Sequence, residues 1–211
     1  MKAFRTCRFC NISNGMYQYG QIDEPFSDNE DFMAVASIGA LIEGWSLIIP
    51  KEHQLSMRNV YGLTGFSEFV GSVIPRLARQ YGTLIAFEHG SAKEGSITAC
   101  GTDHAHLHLV PLGGSLLSGL EESGLQWTHC RPSEIAFRAG VHEYLFYCEL
   151  RSKPVWQDPV GYLHVLESPI SQFFRHLIAR RLGQPEAFDY RRFPHLAMAE
   201  ATRAVLGGSL A

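Results

Sequence analysis

Asp103-His104-Ala105-His106-Leu107-His108-Leu109-Val110-Pro111-Leu112 alternates imidazoles with apolar side chains. On an extended strand, residues i, i+2 and i+4 point to one face. His104, His106 and His108 therefore share a face, with Ala105, Leu107 and Leu109 packed on the other. Neutral imidazole is a nucleophile, a proton shuttle and a metal ligand near neutral pH. The plainer reading is a surface or structural histidine cluster. The loop from Ser96 to Gly101 that feeds the run favours a functional one.

Outward from this run, the pattern is mixed. Residues 31–38 and 44–50 read as two strands, the second ending at Pro50 before Lys51, Glu52 and His53. Phe66, Phe69, Val70, Val73, Ile74 and Leu77 repeat at helical spacing over 64–81, with Pro75 as a candidate kink and Tyr81-Gly82 as the stop. Leu84–Glu88 reads as a strand, and Ala105–Pro111 as the next. Leu116–His129 is read as helical in part, Tyr144–Leu150 and Tyr162–Leu166 as strands, Ser171–Leu182 and Ala197–Leu206 as helices. No regular βαβ alternation runs through the chain, so the expected class is α+β with a mainly antiparallel sheet.

Composition agrees with a folded globular chain: 211 residues, 45% hydrophobic and 18% charged, formal net charge -3. Nothing in that balance suggests a non-specific nucleic-acid footprint. Arg175, Arg180, Arg181, Arg191 and Arg192 cluster late in the chain, and a solvated face with surface ion pairs is the expectation for them. No stretch is long and apolar enough to span a membrane, and the first residues lack the apolar core of an export signal, so a cytoplasmic protein is expected.

Cys7 and Cys10 form a C-x-x-C pair among five cysteines. That spacing lets two thiolates reach one ion from a tight turn, although redox pairs and plain reduced cysteines look the same. His53 and one histidine of the triplet are candidates to complete a tetrahedral site. Separately, a strand-borne imidazole whose other nitrogen is held by a carbonyl can attack phosphorus or an acyl carbon, with neighbouring imidazoles donating to the developing charge. A catalytic metal held by the triplet itself is the competing arrangement.

Taken in order, CRFC near the start, SLIIPKEH ending at His53, and HAHLHLV resemble the zinc-containing branch of the histidine-triad superfamily over residues 4–112. The resemblance implies that family's α+β fold in a unit spanning 1–114, with an α/β extension at 115–211 packed on or near its sheet. It implies a structural Zn²⁺ held by Cys7, Cys10, His53 and His104. It also implies a nucleotide substrate attacked at the α-phosphorus by His106, with His108 contacting the phosphate. The implied activity is a nucleotidyl hydrolase or transferase working through a nucleotidyl-histidine, with phosphoramidate (P–N) hydrolysis first. The alternatives are a nucleotide-binding sensor or scaffold without turnover, and a metal-dependent hydrolase.

Four places depart from the family, among them Cys100-Gly101-Thr102-Asp103 in place of the usual Gly-Gln-Ser run and Phe87-Glu88-His89-Gly90 in place of an Asn-rich loop. Ser37 stands where an acidic residue usually holds the ribose hydroxyls, and Trp45 where a histidine is usual. Glu88 and His89 are expected to line the pocket, with Gly101 and Thr102 on the phosphate, and Asp103 in a structural contact. In the extension, the run from Pro169 to Arg191 is faintly similar to CwfJ-type proteins. Its Ser171, Gln172 and Arg175 reach toward a phosphate in one reading, while Phe173, Phe174, Leu177 and Ile178 pack on the sheet in the other. Histidine-triad domains usually bury a sheet face in a homodimer; an extended tail covering that face within one chain is the alternative.

Overall fold

Alternating side chains along every strand divide one sheet into two buried faces. The structure, a computed structural model, describes residues 7–150 and 156–208. Residues 1–6 and 209–211, the outer ends of the two expected units, lie outside the described residues. Eight strands, β1 (Ser27–Asp28), β2 (Phe32–Ala36), β3 (Ser46–Pro50), β4 (Ile85–Gly90), β5 (Leu107–Val110), β6 (Thr128–Cys130), β7 (Tyr144–Glu149) and β8 (Gly161–Val165), form this sheet. Their order is β1-β2-β3-β5-β4-β7-β8-β6, and the pairings are antiparallel. The protein is α+β, as its sequence pattern leads one to expect.

Six α-helices cover the sheet among the described residues: α1 (Arg8–Ser13), α2 (Thr64–Tyr81), α3 (Leu117–Glu122), α4 (Ile135–Ala139), α5 (Phe173–Arg181) and α6 (Leu196–Gly207). On the first face, Phe32, Ala34, Ile48, Ala86, Leu107, Leu109, Tyr144 and Phe146 pack against the apolar stripe of α2. The stripe is the one read from spacing, and α2 runs through Pro75 to a stop at Gly82, whose φ is +86°. On the second face, Met33, Val35, Leu47, Phe87, Leu145 and Tyr147 meet Phe9 and Ile12 of α1, Leu120 of α3, and Phe174 and Ile178 of α5. A strand buried on both faces needs apolar residues in both registers, which is why β2, β3 and β4 are buried throughout.

Residues after 115 do more than pack nearby. β7 pairs with all six residues of β4, and β8 and β6 extend the sheet beyond it. The expected α/β extension thus mixes helix and strand in sequence, but its strands join the same antiparallel sheet. Both core clusters draw side chains from both halves of the chain. The tail, through α3 and α5, covers the second face. No helix among the described residues is long and apolar enough to cross a membrane.

Several boundaries differ from the sequence reading. β5 begins at Leu107, so His104 and His106 precede the strand. Ala105 N–H donates to the Gln54 carbonyl at 2.6 Å, and this non-ladder bond takes the place of strand pairing there. Of 116–129, only the six residues of α3 are helical, and His129 lies in β6.

Glu88 also departs from expectation. Alternation in β4 sends His89 to the second face and Glu88 to the first, so the two are separated by the sheet. Glu88 is buried there and accepts from Met57 N–H (2.6 Å), Tyr61 Oη (2.7 Å) and Tyr144 Oη (2.6 Å). Burial raises its pKa to about 6, partly offset by these donors. The unfolded chain therefore loses this proton first. The stabilisation tied to a protonated Glu88 is complete below pH 4.5 and lost as pH rises through 6. The full difference is about 2 kcal/mol. Urea unfolding of wild type and Glu88→Gln across this window should show a decline with pH that the variant lacks. Parallel pH profiles for the two proteins would contradict the assignment.

Candidate functional site

Helix α1 starts at Arg8 with Cys7 as its N-cap, and the Cys7 thiol accepts from Cys10 N–H at 3.5 Å. The first helical turn therefore brings both sulfurs to the same side. His53, from the loop after β3, and His104, just before β5, close on them. Cys7 Sγ lies 3.2 Å and Cys10 Sγ 3.6 Å from His104 Nδ1, and Cys10 Sγ lies 3.2 Å from His53 Nδ1. All four donor atoms lie within 4.8 Å of one another. Tetrahedral coordination with bonds of ~2.0–2.3 Å separates ligand atoms by roughly 3.3–3.8 Å, so this set could hold a metal ion.

His104 is oriented for that role. A carbonyl oxygen can only accept, so the 2.7 Å contact between His104 Nε2 and the Pro50 carbonyl puts the ring proton on Nε2. Nδ1 is then the lone-pair nitrogen, and it faces the sulfurs. The same logic fixes the other two rings. His106 Nδ1 donates to the His104 carbonyl at 2.8 Å, leaving Nε2 with its lone pair. Trp45 Nε1, which can only donate, lies 2.9 Å from His108 Nδ1, so His108 carries its proton on Nε2. Phe87 stacks on the His108 ring at 4.3 Å between centroids and locks its plane. His106 and His108 lie 4.8 Å apart, centroid to centroid.

Burial keeps these rings neutral. It lowers the pKa of His106, carries that of His108 well below the usual imidazole range, and brings His89 to about 3 and His104 to about 4. Arg175 and neighbouring imidazoles lower His89 and His108 further. The triad thus offers one basic nitrogen and, 4.8 Å away ring to ring, one N–H donor at neutral pH.

His106 and His108 open into a cavity of about 440 Å³. Arg8, Arg175 and Arg191 line it, together with Ser37, His89, Gly101 and Thr102. Phe9, Ile38, Leu47 and Leu196 give it an apolar wall, and Tyr19 and Tyr190 complete it. No carboxylate is among its lining residues. Of these arginines, Arg8 is ion-paired with the buried Asp23. The Ser37 hydroxyl donates to the Ile38 carbonyl at 3.3 Å.

Most residues singled out in the sequence thus gather here. Glu88 does not, for the reason given above. Asp103 accepts from Gly95 N–H at 2.9 Å, the structural contact expected of it. Gln172 lies outside the cavity lining, its backbone N–H donating to Cys100 Sγ at 3.2 Å. The α5 stripe packs on the sheet through Phe174 and Ile178, while Arg175, unlike Ser171 and Gln172, lines the cavity. Trp45, Phe87, Tyr190 and Arg191 carry site roles that the sequence pattern did not reveal. Arg175, expected on a solvated face, is buried, whereas Arg191 is exposed and also lines the cavity; the Asp189–Arg192 segment has no periodicity that would announce a cavity wall. No protein-family model matches the chain, and no curated protein matches it.

Two outcomes are expected from the geometry. Purified protein should carry one metal ion per chain by elemental analysis, retained in His106→Asn and reduced at least severalfold in Cys10→Ala with loss of thermal stability. Loss of the metal in His106→Asn would place the ion in the triad instead. By long-range ¹⁵N correlation spectra, His108 should be a single Nε2–H tautomer in wild type and a mixture in Trp45→Phe. An unchanged tautomer in Trp45→Phe would remove the indole from the site.

Proposed function

We propose that the protein is a histidine-triad nucleotidyl hydrolase or transferase in which His106 attacks the α-phosphorus of a nucleotide. The observation that carries this reading is the opposed tautomers of His106 and His108. One presents a lone pair to the cavity and the other, beside it, presents an N–H. Nucleophilic phosphoryl chemistry needs that pair, because the attacking nitrogen must be deprotonated while the non-bridging oxygens need a donor.

The reaction proceeds in two displacements. His106 Nε2 forms a bond to phosphorus, and the bond from phosphorus to the leaving group breaks. With a phosphoramidate, the departing amine takes a proton from solvent. Water then adds to phosphorus and gives up a proton to solvent, the P–Nε2 bond breaks, and its electron pair returns to the ring. The His104 carbonyl holds the Nδ1 proton throughout and favours the charge that the ring acquires on attack. His108 Nε2–H donates to a non-bridging oxygen. The apolar wall of Phe9, Ile38, Leu47 and Leu196 suits a nucleobase, and Ser37 stands where ribose hydroxyls are expected.

Two thiolates and two imidazoles suit zinc, and with all four positions taken by protein atoms the ion would be structural. Bound there it would cross-link α1 and the His53 loop to the entry of β5, so that the carbonyl steering His106 does not move.

The test is turnover of adenosine and guanosine phosphoramidates and dinucleoside polyphosphates by wild type and His106→Asn. Turnover that falls by about a thousandfold or more in the variant, with an acid-labile nucleotidyl adduct trapped on wild type alone, is the expected result. Nucleotide binding without turnover of any compound would indicate a sensor or scaffold, and equal turnover by the variant would exclude His106 as nucleophile.

A further inference from the structure

Arg175 is 3% exposed. Its Nε–H donates to the Phe188 carbonyl at 2.7 Å, and an Nη donates to the Gly39 carbonyl. Its guanidinium lies over the Trp45 indole at 5.0 Å and the Tyr190 ring at 5.8 Å. No carboxylate lies within salt-bridge reach of it among the described residues. Burial brings its pKa down to about 10, so it remains charged at neutral pH. Carbonyls and ring faces alone are poor compensation for a desolvated cation, and guanidinium has five N–H donors. The unmatched charge borders the cavity that holds His106 and His108.

Arg191, hydrogen-bonded through its side chain to Tyr190 and near the Asp189 carboxylate, supplies a second guanidinium without a salt bridge at the same cavity. It lies over the backbone of Gly101, whose φ is +83°, so close that a Cβ there would collide with it. Gly101 and Thr102 lead directly into the triad. Tyr190 fixes the strap that carries Arg191, donating its hydroxyl to the Cys100 carbonyl at 2.8 Å. The cavity is therefore bordered by two guanidiniums that make no salt bridge, one rigid and one exposed, with Asp189 the nearby acid and no carboxylate in the lining itself.

We infer that Arg175 and Arg191, both from the C-terminal half of the chain, form an anion subsite for a second phosphate-class group of the substrate. The subsite lies beside the position of the phosphorus that faces His106. Guanidinium pairs take phosphate oxygens in bidentate fashion, which gives the subsite geometry as well as charge. The inference rests on the nucleotidyl-transfer reading only for assigning the first phosphorus to His106; the anion subsite itself stands on the two arginines.

Titration calorimetry with inorganic phosphate and inorganic pyrophosphate tests it. Pyrophosphate should bind wild type about tenfold tighter or more than phosphate, with an affinity that falls with salt. Arg191→Ala, a change at an exposed side chain, and Arg175→Lys, which keeps the charge and loses the fork, should each weaken pyrophosphate about tenfold. Equal affinity for the two anions, or pyrophosphate affinity untouched by Arg191→Ala, overturns the subsite, even if nucleotide turnover is normal. Tight, arginine-dependent pyrophosphate binding in a wild type that turns over no nucleotide upholds the subsite and overturns the catalytic reading alone.

Discussion

His104 is bonded through three of its polar groups at once, and the site depends on this. Its Nε2–H is held by the Pro50 carbonyl, its Nδ1 faces the two thiols, and its own carbonyl receives the Nδ1 proton of His106. Each bond fixes the next. The carbonyl at the end of β3 sets which nitrogen of His104 is free, and the position of His104 sets which nitrogen of His106 is free. A ring at this position without Nδ1 would take one donor atom from the Cys/His cluster, and one without Nε2 would lose the Pro50 bond that orients it. Preorganisation of this kind is effective because neutral imidazoles have only two tautomers, and single hydrogen bonds of ordinary strength select between them.

The legible parts of the chain were those with a local period or a local spacing. Alternation in 104–109 located the triad and assigned Leu107 and Leu109 to the core. The apolar stripe of α2 was visible from Phe66 to Leu77, and C-x-x-C with His53 marked three of the four residues whose donor atoms converge, the family resemblance adding His104. What escaped depends on pairing across long stretches of chain. Whether Glu88 or His89 faced the triad turned on a single residue of register in β4, and a one-residue difference exchanges the faces of a sheet. Trp45 looked like a departure from a histidine; its indole N–H supplies a donor to His108 across 63 residues of sequence. The carbonyls on Arg175 and the turn beneath Arg191 belong to segments with no period of their own.

The two halves of the chain contribute different chemistry to one cavity. The first supplies the imidazoles, the metal-ligand cluster and the apolar wall around Phe9 and Leu47. The second supplies Arg175, Arg191 and the strap with Tyr190, Pro194 and Leu196, while Arg8 of the first is ion-paired with Asp23. Gly39 records how closely they meet. It has φ +74°, and a Cβ on it would collide with Tyr190, so the strap lies directly on the backbone beyond β2. Only glycine combines that conformation with that approach. The second-face apolar cluster reaches the cavity through Phe9 and Leu47, beside the polar atoms drawn together there.

The six-residue ladder between β4 and β7 has a consequence for how such a chain can be divided. β4 carries the apolar sequence Ile85-Ala86-Phe87 in the middle of a sheet that is buried on both faces. Without β7, every outward N–H and C=O along it becomes a bare edge flanked by large apolar side chains, a template for pairing with any other extended chain. The later half of the sequence therefore acts as an intramolecular guard on the earlier one. A lapse in the pairing of β7 with β4 exposes that edge before the cavity has formed.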